Sequence, residues 1–276
     1  ALDPTDVAID GAPATADATT AGDRIHLSLP DLSGQIAADG TASFAAPGMD
    51  FDLAVTDPAT GRFTHLAGRH DRPSLAVTRE PDGTGAIARR IALGSAAADQ
   101  HWQGREADGR STGASLARGP GTLALTLSPD RFSLRGHGEA VRLTTLPTTP
   151  DARAHDILAA MADLSLSGPA VWTGPDLTLS LGAVLDGLTL APEDWALLDP
   201  LGQMPRDPGS LVLDIDLVPE ITAPPKLPDM TVEAQLRSVT IHRLSLDLAG
   251  VTLETTGAVR FVPAPDADAS GAQRPV

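Results

Sequence analysis

The chain has 276 residues, with 36 acidic and 20 basic side chains and a net charge of −16. Cysteine and tyrosine are absent, and three Trp and five Phe supply all the aromatic rings. A disulfide framework, a thiol nucleophile and a thiolate metal site are therefore excluded, and the charge disfavours partnership with nucleic acid or an anionic lipid surface.

Asparagine is also missing and Lys226 is the sole lysine, while Ala, Gly, Pro, Asp and Arg abound. The depleted residues share AT-rich codons, so a GC-rich genome explains them without selection on function. The core must be built from Leu, Val, Ile and Ala. Apolar runs are too short (under about 18 residues) to cross a bilayer as a helix. The chain opens at Ala1 without methionine, which reads as a removed signal or an excised fragment.

In chain order, residues 1–22 read as a loose segment with one marginal edge strand. From Asp23 the apolar period becomes two: Ile25, Leu27 and Leu29, then Phe51, Leu53 and Val55, then Leu75 and Val77, then Ile91 and Leu93. Leu123, Leu125 and Leu127 continue it, followed by Val141 and Leu143, by Leu177, Leu179 and Leu181, and by Leu211, Leu213, Ile215 and Leu217. Leu244, Leu246 and Leu248 lead into Val251 and Leu253. Turn dipeptides punctuate the runs at Asp39-Gly40, Asp82-Gly83, Asp108-Gly109 and Asp186-Gly187. This alternation predicts a mostly β protein: extended antiparallel sheet of repeated hairpins, either curved into a groove or packed as a sandwich. A β region over 23–146 and a second over 147–276 divide the chain, or join as one continuous domain.

One segment reads differently. Thr149-Pro150-Asp151 offers a cap, an N1 proline and a first-turn acid, and Ile157, Leu158, Met161 and Leu164 follow at helical spacing. A helix over 150–163 is expected. A shorter helical turn starts at Pro192, carries Trp195 and Leu198, and stops before Pro200. Residues 95–121 read as a sheet crossing or a long loop.

Motifs for chemistry are weak. The seven histidines lack metalloprotease spacing, and His65, His70 and Asp71 form only a sparse cluster. Gly113-Ala114-Ser115-Leu116-Ala117 mimics a nucleophile elbow but lacks the strand before it and the helix after it. Gly83-Thr84-Gly85 precedes a strand rather than a helix, which a dinucleotide loop would need. Asp266 and Asp268 resemble half of a calcium loop, and Asp214 and Asp216 share one wet strand face. No metal, no cofactor and no enzymatic activity are expected.

The stretch Trp195-Ala196-Leu197-Leu198-Asp199-Pro200-Leu201-Gly202-Gln203-Met204-Pro205-Arg206-Asp207-Pro208, leading into Leu211-Val212-Leu213-Asp214, is the most distinctive. It resembles an uncharacterised family of proteobacterial envelope proteins, known only as a domain of unknown function (number twenty-one twenty-five). The run from Pro228 to Phe261 is similar to that family's leucine-alternating hairpin. The resemblance implies an all-β body, export by a signal peptide, and residence in the periplasm or cell envelope. Members usually begin with an anchor or signal and continue further, so the chain reads as cut at both ends. A looser similarity in strand style is to envelope proteins that carry lipids along β-sheet grooves.

These readings combine into one expectation: a non-catalytic envelope protein whose apolar groove holds lipid or another hydrophobic ligand. Leu123, Leu125, Leu127, Leu177, Leu179 and Leu181 are its candidate lining. Asp199, Gly202, Arg206 and Asp207 mark a rigid loop that could dock an envelope protein partner. The alternative is a structural or interaction β-sandwich without ligand.

Overall fold

The computed structural model describes residues 7–19, 23–56, 61–81, 86–105, 110–145, 147, 153–170, 177–221, 234–263 and 273–275. Its strands are β1 (Val7–Thr19), β2 (Arg24–Ile36), β3 (Ala42–Ala45), β4 (Gly48–Thr56), β5 (Phe63–Asp71), β6 (Ser74–Pro81), β7 (Ile87–Ser95), β8 (Ala97–Arg105) and β9 (Ser111–Arg118). They continue as β10 (Gly121–Leu127), β11 (Arg131–Thr145), β12 (His155–Pro169), β13 (Leu179–Leu190), β14 (Gly209–Ile221), β15 (Ala234–Leu248), β16 (Val251–Pro263) and the short β17 (Gln273–Pro275). The helix α1 (Pro192–Leu198) lies between β13 and β14.

The pairing gives a single meander. β2 holds β4 along Arg24–Ser28 and β3 along Ser33–Ile36. β4 then pairs β5, β5 pairs β8 and β8 pairs β9, while β3 pairs β6, β6 pairs β7 and β7 pairs β10. β11 takes β10 along Phe132–Gly138 and β9 along Arg142–Thr145. So β3 and β4 are two halves of one bent span, as are β5 and β6, β7 and β8, and β9 and β10. Each span lies beside its neighbour in sequence, from β1 on β2 through β11, β12, β13, β14, β15 and β16, always antiparallel.

The bends line up as a crease across the sheet. They fall at Ala46-Pro47, Arg72-Pro73, Ala96 and Gly119-Pro120; at the three proline bends the missing N–H leaves the ladder broken at no extra cost. Backbone bonds stitch the crease itself: Arg72 N–H donates to the Pro47 carbonyl at 3.0 Å, Ala96 N–H to Asp71 at 2.9 Å, and Gly119 N–H to Glu139 at 2.8 Å. In the unbroken spans the crease is crossed through left-handed residues, Asp31 (φ 48°) in β2, Ala140 (φ 48°) in β11 and Gly187 (φ 65°) in β13. Each crossing shifts the side-chain phase by one. Leu27 and Leu29 face inward before Asp31, and Leu32 after it. Small residues are buried along the crease: Ala46, Ala98, Ala159 and Gly138, with Leu188 beside them.

The fold class is as the alternation predicts, mostly β and antiparallel, with one helix among the described residues. That helix is not at 150–163. Residues 155–169 form β12, paired to β11 from His155 to Pro169 and to β13 from Ile157 to Ser167. The apparent helical spacing is the phase shift at the crease. Ile157 and Ala159 face inward on one side of it, Ala162 and Leu164 on the other, while Leu158 and Met161 face outward. Ladder bonds on both edges outweigh the helix propensity of an alanine-rich run. The helix is instead the short one at Pro192, with proline in its first turn and Glu193 and Asp194 at its positive end.

Other readings resolve similarly. Val7–Thr19, within the segment read as loose, is a strand paired along β2. Within the stretch read as a crossing or a long loop, Ala97–Arg105 and Ser111–Arg118 are strands paired with one another. Asp39-Gly40 is a turn, with Gly40 at φ 82°, but Asp186-Gly187 is a bulge within β13. Asp82-Gly83 and Asp108-Gly109 lie outside the described residues. The β11–β12 pairing carries the sheet across the 146/147 boundary without a break.

Candidate functional site

The two faces of the sheet differ in chemistry. On the outer face Arg24 pairs with Asp52, Arg142 with Asp156, His137 with Asp163 at 2.8 Å, and His242 with Asp216 at 2.8 Å. Asp214 and Asp216 are on this side; Ser180 and His242 hydrogen-bond Asp216 and hold its carboxyl below the usual range. His137 and His242 thus stand beside surface aspartates. Among the described residues no cluster of three potential metal ligands occurs. Asp266, Asp268 and Gly83-Thr84-Gly85 lie outside the described residues.

The inner face is apolar, and the crease folds its two halves toward one another. A cavity of about 350 Å³ spans the crease, with Phe51 and Leu116 from one half facing Leu93, Leu123 and Leu164 from the other. A second cavity of about 300 Å³ shares Met49 and Leu93 with it and continues past Leu27, Leu29, Leu32, Phe44 and Leu75. Together they form one apolar groove along the crease. Two packed sheets would bury such side chains. Here Leu123 is 45% exposed, Leu164 53% and Trp102 39%.

The expected groove residues fall largely on this face. Leu123 lines the cavity, and Leu125 and Leu127 continue its row on β10. Leu125, Leu134, Leu166 and Leu181 stand in register across β10 to β13, and Leu179 shares their face. Leu177 is buried just before β13 and lines neither cavity.

Sequence reading missed the polar group set into the crease. His70 is 3% exposed. The Gln100 amide donates to its Nε2 at 2.8 Å, which leaves Nδ1 protonated and facing Ser95 Oγ at 3.2 Å. Arg118 Nη2 donates to the same Oγ at 2.8 Å, and Nη1 to the Gly119 carbonyl at 3.0 Å. His70, Gln100 and Arg118 all line the larger cavity. The available signal was a polar residue shortly before two of the proline bends (His70 before Pro73, Arg118 before Pro120). Burial, with help from the Arg118 charge, pushes the His70 pKa down from 6.5.

That shift has a sign. Folded His70 prefers to be neutral, so its contribution to stability is full above about pH 6.5 and is lost as pH falls below that toward the folded pKa. Arg118 is the charge facing it; Ser95 and Gln100 are neutral, and Phe51 packs at a ring distance of 6.0 Å. The raised pKa of His242, held by Asp216, acts the opposite way and is common to both proteins compared. Between pH 7 and pH 5 the wild type should therefore lose more melting temperature than His70→Gln, measured by calorimetry. Parallel pH profiles would refute the assignment.

The 199–208 loop is held from within. The Asp199 carboxylate accepts from the Gln203 and Met204 N–H groups, each at 2.9 Å, which with Arg206 keeps its pKa low. Gly202 turns at φ 65°, and the Arg206 guanidinium lies 5.5 Å over the buried Trp195 ring. Asp207 is exposed. The loop displays Leu201 to solvent, beside the exposed Leu197 and Leu198 at the end of α1.

Comparison of the chain with family models, curated proteins and solved structures gives no match.

Proposed function

We propose that this protein is a non-catalytic carrier whose creased sheet holds a hydrophobic ligand in the groove, and that it works in the periplasm or cell envelope. The observation carrying the first part is the continuous, half-exposed apolar inner face from Leu27 to Leu164. Burying a methylene there contributes about 0.8 kcal/mol, so an acyl chain gains enough affinity without a directional bond. The envelope location rests on the family resemblance of the 195–214 stretch.

A second reading, docking to another envelope protein, draws on the exposed Leu197 and Leu198 at the end of α1 and Leu201 of the loop that follows. It is compatible with the first, because the loop and the groove use different elements.

The test is a titration of the delipidated protein with N-phenyl-1-naphthylamine, a neutral fluorophore that brightens in apolar surroundings. Saturable binding, weakly dependent on salt and with a negative heat-capacity change, is the expected result. A linear, unsaturable signal would overturn the carrier reading.

A further inference from the structure

Among the described arginines, Arg118 alone is not exposed. It sits where the two halves of the sheet meet, at the wall of the larger cavity. Its partners are a hydroxyl and a backbone carbonyl, and no described carboxylate lies within ion-pair distance. The other charges near bends or faces behave differently: Arg24, Arg142 and Arg153 each hold an aspartate. The chain has 36 acidic residues, yet none lines either cavity of the groove. A half-covered guanidinium in an apolar cleft is costly without a counter-charge.

Building on the carrier reading, we propose that the crease binds the head of a single-chain amphiphile bearing a carboxylate, of the long-chain fatty acid class, with Arg118 as its charge partner. The guanidinium fork matches a carboxylate in shape, and most of its N–H groups are left without a protein acceptor. A single fixed positive charge suits a monoanion, since the neighbouring His70 is held neutral by its burial. Ser95 and Gln100 fix the group in place: Ser95 anchors Arg118, and Gln100 anchors His70. From this polar point the groove runs outward past Met49 and Leu93 as purely apolar wall. The two joined cavities, of about 350 and 300 Å³, fall in the range of about 300–1,000 Å³ that holds one small ligand. Head and tail therefore have separate, adjoining places.

The experiment is displacement of N-phenyl-1-naphthylamine by oleate and by oleyl alcohol, which share a chain and differ in the head. On the wild type, oleate should displace the probe at a concentration at least about tenfold lower than the alcohol, the worth of a charged hydrogen bond. Arg118→Met should erase that difference between acid and alcohol, and Arg118→Lys should keep part of it. Circular dichroism melts monitor folding, and the wild-type comparison stands even where a variant fails to fold. Equal displacement by acid and alcohol on the wild type, or an oleate advantage that survives in Arg118→Met, overturns the head site. In those cases saturable probe binding still upholds the groove. Absence of saturable probe binding removes the groove and the head site together.

Discussion

Replacing Leu164 by Asp should abolish binding of the neutral probe and leave the fold intact. Leu164 stands on the inner face of β12, opposite Gly136 of β11 and Ala183 of β13. Neither neighbour has a side chain large enough to cover it, and it is 53% exposed. In the empty protein the new carboxylate stays hydrated, so the change in stability should be small. A ligand lying in the groove would strip that water from an unpaired charge, which costs several kcal/mol and lowers affinity by more than about a hundredfold. The adjacent Ser165→Asp is the control. Its side chain is on the opposite face, across from Arg135, and binding should be unchanged. Equal binding by the two variants would show that the ligand does not use this face.

A second large effect is expected at the crease. Gly187 adopts φ 65°, and a Cβ there would lie 2.6 Å from the Ala160 Cβ and 3.1 Å from its backbone nitrogen. Gly187→Val places a β-branched residue in a left-handed conformation, at about 1–3 kcal/mol. Forcing its methyls against β12 adds about 1–3 kcal/mol of overpacking. The sum is about 4 kcal/mol, which lowers the melting temperature by about 8–16 °C for a domain of this size. Gly257 on β16 provides the comparison, because a Cβ there meets nothing within 4 Å. Gly257→Val should melt within a degree or two of wild type, about 0.5 kcal/mol. Calorimetric scans of the two variants decide the matter; similar melting points would mean that the crease does not depend on the glycine.

The sequence displayed the sheet because alternation is a local signal. Leu123, Leu125 and Leu127 need no distant information to declare a half-buried strand. It concealed the crease because a one-residue phase shift looks like disorder in the pattern, or like a helix. At Ile157, Leu158, Met161 and Leu164 the shift imitates helical spacing. At Leu29-Pro30-Asp31-Leu32 it resembles a turn. The recurrence of Pro47, Pro73 and Pro120 between paired runs was the legible trace of a shared bend. Arg118, Ser95, Gln100 and His70 were invisible as a group, because they come from four strands brought together by the ladder. The 195–208 segment was the most readable: the proline start at Pro192 and the stop before Pro200 both mark the observed helix.

Because each span pairs with the one before it in the chain, assembly needs no distant strand to return and close the fold. The molecule is close to a one-dimensional array, in which stability is a sum of nearest-neighbour terms. Damage to one hairpin should therefore spread along the chain order rather than collapse the whole at once, and unfolding should depart from a single cooperative step. Such a chain can also zip up in the order in which its segments become available, each new hairpin using the last as its template. Growth by adding or deleting hairpins would lengthen or shorten the groove while leaving its cross-section unchanged.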